Sequence, residues 1–166
     1  MKEPLKIFTT QEWGARLVRR SFTLERPLGI VVHHTNTENR LPESGAAELA
    51  RSFDLARVIQ GFHMDDPDRR WADTGQNFMV SRGGLVLEGR TTSLLHARAG
   101  FVARGAHAGT DEGNRFYFGI EVEGRNVGSF QVTDLQWDAL VKLCAWLSFV
   151  GGFQSGNILG HRHFVA

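Results

Sequence analysis

Two imidazoles close an apolar run, Leu28-Gly29-Ile30-Val31-Val32-His33-His34-Thr35, and two more follow a later one at Gly160-His161-Arg162-His163. Between them lies Gly119-Ile120-Glu121-Val122-Glu123-Gly124, with two carboxylates. Imidazole nitrogens hold zinc, and a carboxylate can take a proton from a water on the metal, so the set points to metal-assisted hydrolysis. Neighbours on a strand face opposite sides, so only one of His33 and His34 can face a given ion. His33 is read as the ligand and His34 as its neighbour, a candidate substrate contact. His161 and His163 would face one side if their segment is extended, which makes His163 a candidate further ligand. Glu121 and Glu123 are expected to share a strand face opposite Ile120 and Val122. Two carboxylates there are costly to bury without a cation, and beside a zinc site one of them is the candidate base. His107, between small residues in Gly105-Ala106-His107-Ala108-Gly109, can be approached closely by a ligand. Plainer readings stand beside these: packed strand-end histidines, solvated glutamates, a loop histidine without a role. His63 reads as a packed or capping residue, and His96 is given no role.

These groups must be carried by ordinary elements. Residues 28–34 are rich in β-branched residues and read as a buried strand. Thr10 to Trp13 reads as a short capped helix with Trp13 inward. From Ala46, apolar residues recur at Leu49, Phe53, Ala56 and Ile59, which predicts an amphipathic helix to about His63. Residues 75–81 and 85–89 read as strands joined by a tight Arg82-Gly83-Gly84 turn. Residues 100–115 read as an irregular loop, and Tyr117 to Glu123 as a central strand. Thr133 and Gln136 form a capping-box pattern opening a helix to about Val150, ended by Gly151-Gly152. Strands interleaved with helices predict one α/β domain over 1–166, a mixed central β-sheet flanked by helices.

Composition narrows the rest. The net charge of +1 gives no global field for nucleic acid or an anionic membrane. One cysteine, Cys144, cannot make an intrachain disulfide and reads as a core thiol. No run reaches membrane-spanning length, and the N-terminus lacks the apolar stretch of a signal peptide. A cytoplasmic location, or release by a route without a signal, is the expectation.

The chain resembles the zinc-dependent N-acetylmuramoyl-L-alanine amidase and peptidoglycan recognition protein family. The matching blocks are Gln11 to Arg16, Ile30 to Thr35, Gly75 to Arg90, Gly105 to Gly109 with Asn114, Phe118 to Gly124, and Gly160-His161-Arg162. They stand in family order across nearly the whole chain. The resemblance implies the family's mixed sheet with a zinc cleft on one side. It implies cleavage or binding of peptidoglycan or muropeptides at the amide between muramic acid and L-alanine. Position by position, it makes His33 and His161 ligands of Zn2+, Glu121 the catalytic glutamate, and His107 and Asn114 residues lining the substrate groove. Two departures follow. Many relatives have a catalytic tyrosine where Gln76 stands; an amide cannot act as a base but can donate a hydrogen bond to substrate. The family's third zinc ligand, a cysteine or aspartate, belongs to a block that follows the Gly-His-Arg motif. The sequence stops at Ala166. The expectation is therefore a domain without the family's C-terminal end, or a site completed by His163. A non-catalytic muropeptide-binding domain is the alternative to an active amidase.

Overall fold

The apolar run that ends in His33 becomes a central strand, paired on both sides. The computed structural model describes residues 5–125 and 131–164. In chain order the strands are β1 (Ile7–Phe8), β2 (Leu24–Glu25), β3 (Gly29–His34), β4 (Phe78–Val80), β5 (Val86–Glu88), β6 (Val102–Ala103), β7 (Tyr117–Val122) and β8 (Ile158–Gly160). The helices are α1 (Gly45–Asp65), α2 (Ser93–Arg98), α3 (Asp111–Phe116) and α4 (Asp134–Gly151). Six strands form one mixed sheet in the order β1-β5-β4-β7-β3-β8, and β2 pairs with β6 in a small second sheet. Only the β4–β5 pair of the large sheet is antiparallel. Its turn needs one left-handed residue, and Gly84 supplies it at φ 79°.

Alternation along the strands sorts the side chains into two layers. Ile30, Phe78, Val80, Phe118, Ile120 and Val122 pack with Leu140, Leu143 and Leu147 of α4. On the other face Met79 and Leu87 meet Ala56 and Ile59 of α1 and the fully buried Trp13. Each such side chain contributes about 1.5–3 kcal/mol when fully buried. The capping box of α4 is made in full, with Gln136 N donating to Thr133 Oγ1 and Thr133 N to Gln136 Oε1, both at 3.1 Å. Gln136 Nε2 also donates to Glu123 O at 2.9 Å, which ties α4 to the end of β7.

Four local expectations change. Residues 10–14 form a turn rather than a helix; Glu12 accepts from Thr9 N at 2.7 Å, and Trp13 Nε1 donates to Glu88 O at 2.7 Å. The inward face of α1 is Glu48, Ser52, Ala56, Ile59, Gln60, His63 and Met64, so its first turns bury polar groups while Leu49 and Phe53 are half-buried. Residues 100–115 contain β6 and most of α3. Finally, His161–His163 is a 3-10 turn, closed by Phe164 N donating to His161 O at 2.9 Å. With three residues per turn, positions two apart do not share a face, so the premise that placed His163 beside His161 fails.

Candidate functional site

Three parallel strands bring the chemistry together. In the β3–β7 pairing His33 stands opposite Glu121, and in the β3–β8 pairing Val32 stands opposite Gly160, so His161 enters beside His33. The rings of His33 and His161 lie 4.5 Å apart between centroids. The carboxyl ends of parallel strands are where open α/β sheets place ligands.

A third ring joins from the loop before α3. His107 Nδ1 lies 3.0 Å from His33 Nε2, and the two rings meet edge to face. The ring of His107 lies across Gly119 on β7, where an added Cβ would come within 2.4 Å of His107 Cδ2. Asn114 Oδ1 holds the loop by accepting from His107 N at 2.6 Å and Ala108 N at 2.9 Å. Gly119→Ala is therefore expected to push the ring away and to cost about 1–3 kcal/mol, the usual size of overpacking. Urea unfolding and the histidine side-chain NMR signals check this; unchanged stability and unchanged His107 signals would refute the contact.

Burial sets the charge states. It pushes His33 down to about 2, with His107, His161 and His34 adding to the effect. It pushes His107 down to about 3 against the hydrogen bond to the Tyr117 carbonyl, helped by Arg90 and His161. Both rings are neutral at physiological pH, the form that ligates metals. Burial alone pushes Glu121 up to about 7. A carboxyl in that range can both take and return a proton near neutrality.

The remaining candidates divide. Glu123 lies just past the end of β7, where Arg40 Nε at 2.7 Å and Arg82 N at 2.7 Å hold its carboxylate. It is thereby committed to an ion pair and is not a second base beside Glu121. His34 is half-buried and follows His33 on the strand, so it points to the opposite face. His163 is exposed and packs its ring on Phe164 at 5.2 Å. Gln76 is buried, and its Oε1 has no hydrogen-bond partner among the described residues. His63 is a packed residue as expected: its Nδ1 accepts from Gly75 N at 3.1 Å and its ring lies 4.7 Å from Trp71.

A cleft of about 420 Å³ opens next to this corner, lined by Gly105, Ala106 and Asn114 and by Arg20, Phe22, Trp71, Arg90 and Arg104. Arg90 is 4% exposed, donates from Nε to Thr74 O at 2.9 Å, and lies 4.3 Å over the Phe22 ring. Burial lowers it to about 10, with Asp73 opposing and Arg20 and Arg104 adding to the shift. Arg20, Arg90 and Arg104 together give the cleft a positive lining, which suits an anionic group in charge. Sequence reasoning gave Arg90 no role; its place at the end of the Gly75–Arg90 block was the only signal.

The donor set at the corner suits a zinc ion in type: imidazoles from two strand ends beside the Glu121 carboxyl. His33 and His161 would be two of its ligands. Among the described residues, no three His, Cys, Asp or Glu side chains form a group able to hold a metal. Any third ligand has to come from elsewhere.

A mixed sheet flanked by helices, with these groups at its strand ends, defines an α/β domain of the amidase and peptidoglycan-recognition type. The chain belongs to the N-acetylmuramoyl-L-alanine amidase family, whose model matches residues 23–165. It is similar to peptidoglycan-recognition protein SC2 of Drosophila melanogaster, 31% identical over 94% of this chain and 75% of that protein. It is also similar to the N-acetylmuramoyl-L-alanine amidase of Homo sapiens, 36% identical over 47% of this chain and 13% of that protein. Among solved structures, the peptidoglycan recognition proteins LCa and LCx, an ectodomain complex with tracheal cytotoxin bound, match with a TM-score of 0.76. That match has 26% identity and covers 98% of this chain and 87% of the other.

Proposed function

We propose that this protein is a zinc-dependent amidase that hydrolyses the bond between the lactyl group of muramic acid and L-alanine in peptidoglycan. The observation that carries the reading is the corner itself: His161 beside His33, and Glu121 opposite His33 on the next strand. Zinc, when bound by His33 and His161, polarises the amide carbonyl and acidifies water. Glu121 takes a proton from the attacking water as its oxygen bonds to the lactyl carbonyl carbon. It then delivers that proton to the alanine nitrogen as the C–N bond breaks, leaving a carboxylic acid and a free amine. Gln76, through its amide N–H, is the candidate group for holding substrate at the reacting carbonyl. The cleft beside His107 suits the stem peptide, and Arg90 suits one of its carboxylates.

A second reading has its own support. Gln76 stands where many relatives have a tyrosine, and the described residues hold no ready three-ligand group. Both favour a domain that binds muropeptides without cutting them. Purified muropeptides incubated with the protein, with and without added zinc, separate the two by mass spectrometry. Zinc-dependent appearance of free sugar and free peptide is expected. Binding without cleavage at any zinc concentration would replace the amidase reading with the binding one; no binding would overturn both.

A further inference from the structure

Two hydrogen bonds in series end on the ring of His33. The backbone carbonyl of Tyr117 can only accept, so His107 Nε2, 3.3 Å away, carries the hydrogen. A neutral imidazole has one hydrogen, which leaves His107 Nδ1 bare. That bare nitrogen lies 3.0 Å from His33 Nε2, so the hydrogen between them belongs to His33, which donates. The bare nitrogen of His33 is then Nδ1.

We propose that His107 is a positioning residue that fixes His33 in the Nε2–H tautomer, making Nδ1 the metal-binding atom of His33. The arrangement is held from several sides. The His107 ring cannot tip toward β7, because the backbone of Gly119 lies directly beneath it. A Cβ on Gly105 would likewise stand 2.4 Å from His107 Cδ2, so its own loop closes the ring in. Asn114 fixes the backbone at 107 and 108. Metal-bound histidines commonly donate their second N–H to a carbonyl, carboxylate or water, which sets ring orientation and tautomer. Here the acceptor is a second imidazole, itself anchored to a β-strand carbonyl. His107 thus acts through His33 rather than on substrate. Only the metal-binding consequence rests on the zinc reading above; the hydrogen-bond chain does not.

The test begins with long-range ¹H–¹⁵N NMR of the histidine side chains in the metal-free protein. His33 and His107 are both expected as Nε2–H tautomers, and finding His33 as Nδ1–H would overturn the proposal. His107→Asn keeps an acceptor oxygen near the place of Nδ1, whereas His107→Phe fills the space without one. The asparagine variant should hold the His33 tautomer. The phenylalanine variant should populate both tautomers and bind zinc about 10–100-fold more weakly, by competition with a chromophoric chelator. Equal tautomers and equal affinity in the two variants would reduce His107 to a space-filling role and overturn the proposal. So would a zinc-induced shift at His107 Nδ1 in the unsubstituted protein, which would make His107 a ligand. Should no form bind zinc while the tautomers are as stated, the zinc reading falls and the tautomer assignment stands.

Discussion

Glu121→Gln is expected to leave the fold and zinc affinity intact while hydrolysis of muropeptides falls by about 10²-fold or more, the usual size of a lost general base. The substitution preserves shape and hydrogen-bonding length and removes only the ability to take a proton. The position tolerates a neutral group, since burial already lifts Glu121 to about 7 and so favours its protonated form. Steady-state rates on a defined muropeptide, with zinc content measured in parallel, check the result. Near-normal turnover would mean that another group handles the proton. Glu123→Gln looks like a natural control in sequence, but the structure makes it a poor one. Its carboxylate accepts from Arg40 and from Arg82 N, so that change reads out in stability.

Arg40→Met is expected to destabilise the protein by about 3–5 kcal/mol, as when a buried ion pair loses one partner. Arg40 bridges two buried carboxylates, Glu48 on α1 at 2.8 Å and Glu123 after β7 at 2.7 Å. Glu48 also accepts from Ser81 Oγ at 2.8 Å and Gly83 N at 3.0 Å, so the first turns of α1 are held to the β4–β5 turn through it. Methionine keeps the stem volume and leaves both carboxylates without their cation. Chemical denaturation gives the number, and adding Glu48→Gln and Glu123→Gln to Arg40→Met should recover much of the loss. If Arg40→Met costs less than about 1 kcal/mol, the network behaves as an exposed ion pair. Acid should show the same coupling. Burial works against the Glu48 charge, but Arg40 and the N–H of Glu43 outweigh it and hold the carboxyl at about 2, against an ordinary 4.5. A depressed carboxyl contributes stability above its unfolded value, so this contribution is full above about pH 4.5 and is lost as pH falls toward 2.

What could be read from the sequence followed pattern strength. The β-branched run before His33, the capping box at Thr133 and the glycine turn at 82–84 each have a local physical cause, and each appears as expected. The inward face of α1 did not, because Glu48 and Ser52 are buried by partners far along the chain, at Arg40, Ser81 and Gly83. Helical periodicity of apolar residues carries no sign of such a face. The meeting of His33, Glu121 and His161 rested on a strand-end motif and the family resemblance, and parallel pairing supplies the geometry that brings them together. The close approach of His107 to His33 has no local signature at all. It depends on a loop, on Asn114 and on a strand glycine, and small flanking residues hinted only that something could come near.

The position of β3 carries a consequence for how the chain acquires its shape. Residue 30 pairs with residue 118 on one side and with residue 158 on the other, both across long stretches of sequence. Such distant parallel pairings form slowly, and an unpaired strand edge invites association with other chains. During synthesis one edge of β3 stays open until residues 158–160 have emerged. The segment that seals this edge is the one that delivers His161 to His33. Any ion or substrate that binds at that corner therefore binds only molecules whose β3 is already covered. By mass action it draws the population away from open-edged, aggregation-prone forms.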